Sequence, residues 1–162
     1  MAELPYNNEA EICVIGSVLI DNDSIKAIPF LGAKDFGAER HRTIYGAMLE
    51  MHDKGTPIDY ITLGEHLGDR LKSVGGTSYI TQLADKIPTS AAIEHYAQII
   101  KAYSRRNEAL VVIRETEKKL LGANHDAFDE SISDTIGTLV EITEKRESGK
   151  KRELKEEKRI QE

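Results

Sequence analysis

The chain has 162 residues, 40% of them hydrophobic and 31% charged, which is enough for a domain with a real core and a heavily solvated surface. No apolar run approaches the roughly 20 residues of a bilayer span, and the start MAELPYNNEAE is acidic and polar, unlike a secretory signal. The net charge is −6, with sixteen basic against twenty-three acidic residues before Glu147 and six against five from there on, so the body is a poor non-specific binder of duplex DNA and protein partners are expected.

Helical periodicity dominates. Asn8 to Ile20 sets Ile12, Ile15, Val18 and Leu19 on one face, with Glu9 and Glu11 meeting the positive end of the helix dipole. Asp21 to Ser24 (DNDS) ends that helix, and Ile25 to Leu31 follows as a short apolar piece interrupted by Pro29. Glu39 to His52 reads as a second helix, with Ile44, Tyr45, Met48, Leu49 and Met51 on its inner side, closed by the glycine and proline of DKGTPID. Asp59 is placed to cap a helix through Ile61, Leu63 and Leu67. The stretch GDRLKSVGG breaks it, and Tyr79, Ile80 and Leu83 mark the next.

Pro88 ends that segment, and Thr89 or Ser90 can cap a long helix from about Ala91 to Leu121. GANHD (Gly122 to Asp126) reads as a tight turn, and Ala127 to Arg146 as a last amphipathic helix with Phe128, Ile132, Ile136, Leu139 and Ile142 along one side. Helices joined by so short a turn lie antiparallel, which makes a hairpin with little core of its own. Its apolar stripe calls for cover, and another copy of the chain is the favoured one. The tail ESGKKRELKEEKRIQE has only Leu154 and Ile160 as large apolar residues, so it is expected to be a solvated, partly helical linker.

VGGTSY (Val74 to Tyr79) raises the question of a phosphate loop. Such a loop needs a strand before it and a lysine beside it. Here a helix precedes the glycines, no Gly-Lys-Ser/Thr occurs, and Thr77 and Ser78 read instead as helix-capping hydroxyls. The five histidines show no H-E-x-x-H and no i, i+4 pair, so hydrogen-bonded roles are expected for His41 and His95 and no metal site is assigned. Asp21-Asn22-Asp23 lacks the later glycine and glutamate of a calcium loop. The one cysteine, Cys13, excludes an internal disulfide and a cysteine-built zinc cage, and mid-helix it reads as a buried, inert thiol. No G-x-S-x-G nucleophile is present. No catalytic residue and no bound cofactor are expected in these residues, and the cytoplasm is the expected location.

Three blocks carry a resemblance: LPYNNEAEICVIGSVLIDN, DFGAERHRTIYGAMLEMHDKGTPIDYITLGEHL and VGGTSYITQLADKIPTSAAIEHYAQIIK. Their order and spacing resemble the N-terminal domain of bacterial and phage replicative DNA helicases, the DnaB family, from about Leu4 to Arg146. The most specific marks are P-x-N-x-E-A-E followed by I-G-S-x-L-x-D-N, and V-G-G-x-x-Y-x-x-x-L-A-D-x-x-P-T-S-A. One departure is Gly37, where members usually carry an aromatic residue after Asp-Phe, and looser local packing is expected there.

The resemblance implies an all-α fold, with a compact multi-helix globular head over residues 1–104. A long helix and an antiparallel helical hairpin (105–146) follow, then a charged linker (147–162) toward a motor domain. In the family these domains pair and stack as a ring, a trimer of dimers, which collars the motor and docks primase and in some systems a loader. ATP hydrolysis, with its Mg, belongs to a RecA-like motor carrying a phosphate loop, a motif these residues lack. The function implied is therefore a non-catalytic assembly domain that docks the primase C-terminal domain and binds DNA little. The chain would be either an excised domain or a truncated relative. The alternative is a stand-alone phage-type adaptor that binds primase or caps a host helicase.

By the same resemblance Glu9, Tyr79 and Leu110 match positions used for primase binding. Glu9 also has a helix-dipole reading, and Tyr79 and Leu110 a core reading. Phe128, Ile132, Ile136 and Leu139 are the candidate subunit interface, and they could instead be covered within one chain.

Overall fold

The structure, a computed structural model, describes the backbone of residues 3–122 and 125–161 and the side chains of residues 3–122 and 127–145. All regular structure among the described residues is helical. Six α-helices follow in order: α1 (Asn8–Ile20), α2 (Glu39–Asp53), α3 (Tyr60–Leu67), α4 (Gly76–Asp85), α5 (Ile93–Gly122) and α6 (His125–Gln161). Short 3-10 turns at Asn22–Ala27, Ala33–Asp35 and Gly68–Leu71 fill the connections. The chain divides into two compact units, 1–104 and 105–162. No described helix is long and apolar enough to cross a membrane.

Helix α1 starts where Asn7 caps it, its side-chain oxygen accepting from the Ala10 N–H at 2.9 Å, an arrangement worth about 1 kcal/mol. The expected single apolar face understates its burial. Ala10, Glu11, Ile12 and Val14 to Val18 are all buried, because α1 packs on α2 and α4 together. Gly16 makes this possible: a Cβ there would stand 2.5 Å from the Leu83 carbonyl oxygen. Close approach of α4 to the α1 backbone therefore depends on the missing side chain. Fully burying residues such as Ile15 and Val18 contributes about 1.5–3 kcal/mol each.

Helix α2 buries Ile44, Tyr45, Met48 and Met51 against that core, with Leu49 half-buried beside it. Asp59 caps α3 as expected, its carboxylate accepting from Ile61 and Thr62 while the Thr62 hydroxyl receives the Asp59 N–H. Helix α4 departs from expectation. Its cap is Gly75, in the left-handed region at φ +108°, with no side-chain cap. Thr77 and Ser78 lie in the first turn of α4, and Thr77 accepts the Thr81 hydroxyl through its carbonyl. The glycine pair is a backbone device, since Gly76 also has positive φ (+73°), a region costly for other residues.

In the second unit, α5 and α6 run antiparallel. The Arg105 guanidinium donates to the Ile142 carbonyl at 3.2 Å, and the hydroxyls of Thr116 and Thr135 pair at 2.7 Å. The turn expected over Gly122 to Asp126 includes residues 123–124, outside the described residues. Helix α6 runs on to Gln161, further than the expected end at Arg146. Glu, Lys and Arg dominate that extension, and their helix propensity needs no core. The linker's side chains lie outside the described residues.

Candidate functional site

Polar residues inside the head gather at two places. The first begins with Glu11, a carboxylate in the middle of an apolar run on α1 and only 1% exposed. Its oxygens accept the backbone N–H groups of Gly37 and Ala38 and the Nδ1 of His41 at 2.6 Å. His41 is fully buried on α2, and its Nε2 lies 2.6 Å from the Tyr79 hydroxyl on α4. With Nδ1–H given to the carboxylate, a neutral imidazole leaves Nε2 to accept from the phenol. Three helices are thus joined by one chain of hydrogen bonds that satisfies every buried polar group in it.

Tyr79 is half-buried, and its outer side carries a cation: the Arg40 guanidinium carbon stands 4.2 Å from the ring centroid. Burial pushes the Tyr79 phenol up from its ordinary value, with Arg40 opposing that and Glu11 adding to it. Tyr6 lies across Gly37, where an added Cβ would fall 2.2 Å from the Tyr6 Cβ. The expectation that Gly37 loosens its surroundings is therefore corrected. The space a side chain would take is filled by a ring from residue 6.

The second place is Asp35, buried beneath α5. It accepts from Lys101 Nζ at 2.9 Å, from the Ser104 hydroxyl at 2.7 Å and from the Gly32 N–H at 2.8 Å. This fastens the first turns of α5 to the head. Burial and the Asp35 charge push the nearby Tyr45 phenol far above its ordinary range. Cys13 is half-buried rather than buried, and desolvation pushes its thiol up, against a hydrogen bond from Tyr96. The thiol is protonated near neutral pH and a poor nucleophile. Among the described residues no group of three His, Cys, Asp or Glu side chains is placed to hold a metal.

The residues singled out from sequence fall as follows. Glu9 is exposed in the first turn of α1, and it is Glu11, two residues on, that reaches Tyr79 through His41. Leu110 is half-buried on α5, in the second unit. On α6, Phe128 and Ile136 are exposed at 49% and 57%, Ile132 and Leu139 are half-buried, and Ile142 is buried. The sequence stripe therefore splits lengthwise, one flank covered and the other open. Helix α5 adds Val111, Ile113 and Leu121 to the exposed apolar residues. A cleft of about 400 Å³ lined by Ile113, Thr116, Glu117, Leu120, Leu121 and Thr135 opens on the same hairpin. The hydrogen-bonded role expected for His41 is observed, but sequence reasoning missed its partner Glu11 and missed Arg40. The signal available for the pair was a carboxylate flanked by Ala10 and Ile12 in an otherwise apolar segment.

Known proteins are similar to this chain in sequence and in fold. The chain is 32% identical to the replicative DNA helicase DnaC of Bacillus subtilis over 157 residues, which is 94% of this chain and 34% of that protein. It is 30% identical to the replicative DNA helicase DnaB of Geobacillus stearothermophilus over 156 residues, 82% of this chain and 34% of the relative. The chain thus spans about a third of the length of these curated relatives. The crystal structure of the N-terminal domain of DnaB helicase from Mycobacterium tuberculosis matches its fold with a TM-score of 0.77 at 24% identity, over 85% of this chain and 98% of that one. A DnaB-like replicative helicase, described together with its interactions with primase, matches with a TM-score of 0.70 at 25% identity, over 84% of this chain and 31% of its own. The model of the DnaB-like helicase N-terminal domain matches residues 3–102, well over half of the sequence. With its capped α1, its glycine-started α4 and its all-helical head, the chain belongs to the DnaB-like helicase N-terminal domain family.

Proposed function

We propose that this chain is a non-catalytic assembly and primase-docking domain of a hexameric replicative DNA helicase, working in DNA replication in the cytoplasm. The observation that carries the reading is the open apolar flank of the hairpin. Ile113, Leu121, Phe128, Ile136 and Val140 are all exposed on two helices of an otherwise acidic protein. Several large exposed apolar residues on one hairpin suit an interface, and a second copy of the same hairpin is their simplest self-complementary cover. The assembly is a dimer, or three dimers closed into a ring. Phe128, Ile132, Ile136 and Leu139 are its contact residues.

Under this reading ATP, Mg and strand translocation belong to the two thirds of the relatives that this chain does not span. The 162 residues contain no Gly-x-x-x-x-Gly-Lys-Ser/Thr. Docking is to the C-terminal domain of primase, with Glu9, Tyr79 and Leu110 as contacts and a helicase loader as a further partner. The interactions with primase described for one structural relative support it. The mechanism is geometric: a collar that tethers primase raises its local concentration at the fork.

Light scattering after size exclusion, over a wide concentration range, tests assembly. A concentration-dependent dimer or larger species that Ile136→Asp reduces to monomer is expected. A strict monomer at every concentration would remove the assembly half of the proposal. Calorimetric titration with the primase C-terminal domain tests the other half, and no heat of binding would remove it.

A further inference from the structure

We propose that residues 35–38 form a conformational relay, through which the buried Glu11–His41 network and the α5 turn at residues 101–104 set each other's position. This coupling lies inside the head and is independent of what docks outside it. The four consecutive residues carry groups of both polar clusters. Asp35 is the buried acid beneath α5, while Gly37 and Ala38 supply the two backbone N–H groups that Glu11 accepts. Clusters that share no side chain are thus joined by a stretch of main chain no more than about 11 Å long.

The stretch has no slack. Its four backbone N–H groups are all engaged: that of Asp35 donates to the Gly32 carbonyl at 3.0 Å, that of Phe36 to Ala33 at 3.2 Å, and the other two to Glu11. The Phe36 and Gly37 carbonyls both accept from the Arg42 guanidinium, at 3.2 and 3.1 Å. Between them the Phe36 side chain is 2% exposed, with its ring centroid 4.6 Å from that of Tyr45. A displacement of Asp35 is therefore passed on to Gly37 and Ala38 rather than absorbed on the way.

At its other end the relay acts on the register of α5. Ile93, Ala97 and Ile100 bury apolar surface, which holds the helix to the head without direction. Lys101 and Ser104, three residues apart on one face, both donate to Asp35, at 2.9 and 2.7 Å. Those charge-assisted bonds fix which turn of α5 sits over the acid. Ser104 is also the last residue of the first unit, so the bonded turn is the one at which α5 leaves the head. A pull on Glu11 or His41 is felt at that turn, and the reverse holds by linkage.

The test is backbone amide hydrogen exchange, followed by NMR in the 162-residue chain. Helix α3, whose bonds run to Asp59 and Glu50, is the internal control. Ser104→Ala removes one bond and keeps Lys101 and the Gly32 N–H on Asp35, so it is expected to fold. It should speed exchange of the Gly37 and Ala38 N–H groups about three- to tenfold relative to α3. Glu11→Gln, nearly the same shape without the charge, should speed exchange over residues 101–104 by a similar factor. If Glu11→Gln does not fold, Tyr79→Phe perturbs the same network from its half-exposed end, with the same direction expected. In the double variant the effects should fall short of their product, because a relay loosened at one end has less to pass on. Changes confined to the neighbours of each substituted residue would overturn the relay, as would effects that simply multiply. A uniform rise that includes α3 would overturn it too, since global opening and not this segment would then connect the two ends.

Discussion

Residues 1–104 hide polar groups, whereas residues 105–145 leave apolar ones outside. In the head Glu11, Asp35 and His41 are buried, yet each has hydrogen-bond partners, so the cost of desolvation is offset inside the fold. Among the described residues of the hairpin, Ile142 is the one buried apolar side chain, and large apolar residues stand exposed on both helices. The first region satisfies these buried charged and imidazole groups within one chain. The second has the surface chemistry of an interface without its other side. Buried polar networks fix one arrangement of helices, while an uncovered apolar flank leaves arrangement to a partner. Both behaviours occur in one chain because α5 supplies Ile93, Ala97 and Ile100 to the core at one end and exposed Ile113 and Leu121 at the other.

The sharpest way to break the contrast is to open the head. His41→Ala leaves the Glu11 carboxylate buried without its main partner and is expected to cost about 3–5 kcal/mol in urea unfolding. Gly16→Val comes next, at about 1–3 kcal/mol, because its side chain meets the Leu83 carbonyl and Ile87. Ile136→Asp should do the opposite, with less than about 0.5 kcal/mol of change in a dilute monomer, since its site is already wet. An equally large loss of stability in Ile136→Asp would mean that the flank is covered within one chain.

The smallest effect is expected at the Asp59 cap. The Thr62 and Ile61 N–H groups hold its carboxyl below the ordinary value of 3.8. Because the folded value is depressed, the cap's contribution is present above that unfolded value and is lost as pH falls through the folded one. Asp59→Ala is therefore expected to lower the melting temperature at pH 7 and to leave it unchanged well below pH 3.8. Equal losses at both pH values would show that the side chain acts by packing instead.

Local signals were legible in the sequence and long-range ones were not. Asn8 and Ile20 bound α1 as expected, and Asp59 caps α3, since capping and periodicity act within a few residues. The link between Glu11 and His41 spans thirty positions, and no local pattern encodes it. Thr77 and Ser78 misled because hydroxyls beside glycines imitate a cap, while the actual device is a left-handed backbone at Gly75. Along α6 the periodic stripe was visible, but which half of it α5 covers depends on the helix-to-helix register. Periodicity does not carry that register, so Phe128 and Ile142 looked alike in the sequence and differ in the fold.

Several residues of the two motifs singled out in the sequence turn out to be joints. Asn7 is a cap, and Gly16 a contact point with α4. Asp21 receives the Ser90 hydroxyl, which ties the end of α1 to the threshold of α5. Asn22 is the most economical of them. Its side-chain amide accepts the Ile58 N–H and donates to the Ile58 carbonyl, both at 2.7 Å, and donates to Val18 as well. One side chain thereby imitates a peptide group and forms a single rung of sheet-like pairing in an all-helical head. The consequence concerns chemical ageing. Deamidation of Asn22 would turn its donor into a second acceptor facing two carbonyl oxygens, leaving the Ile58 N–H as the one bond of this side chain to the segment leading into α3. The junction between α1 and the approach to α3 thus depends on one side-chain amide staying an amide.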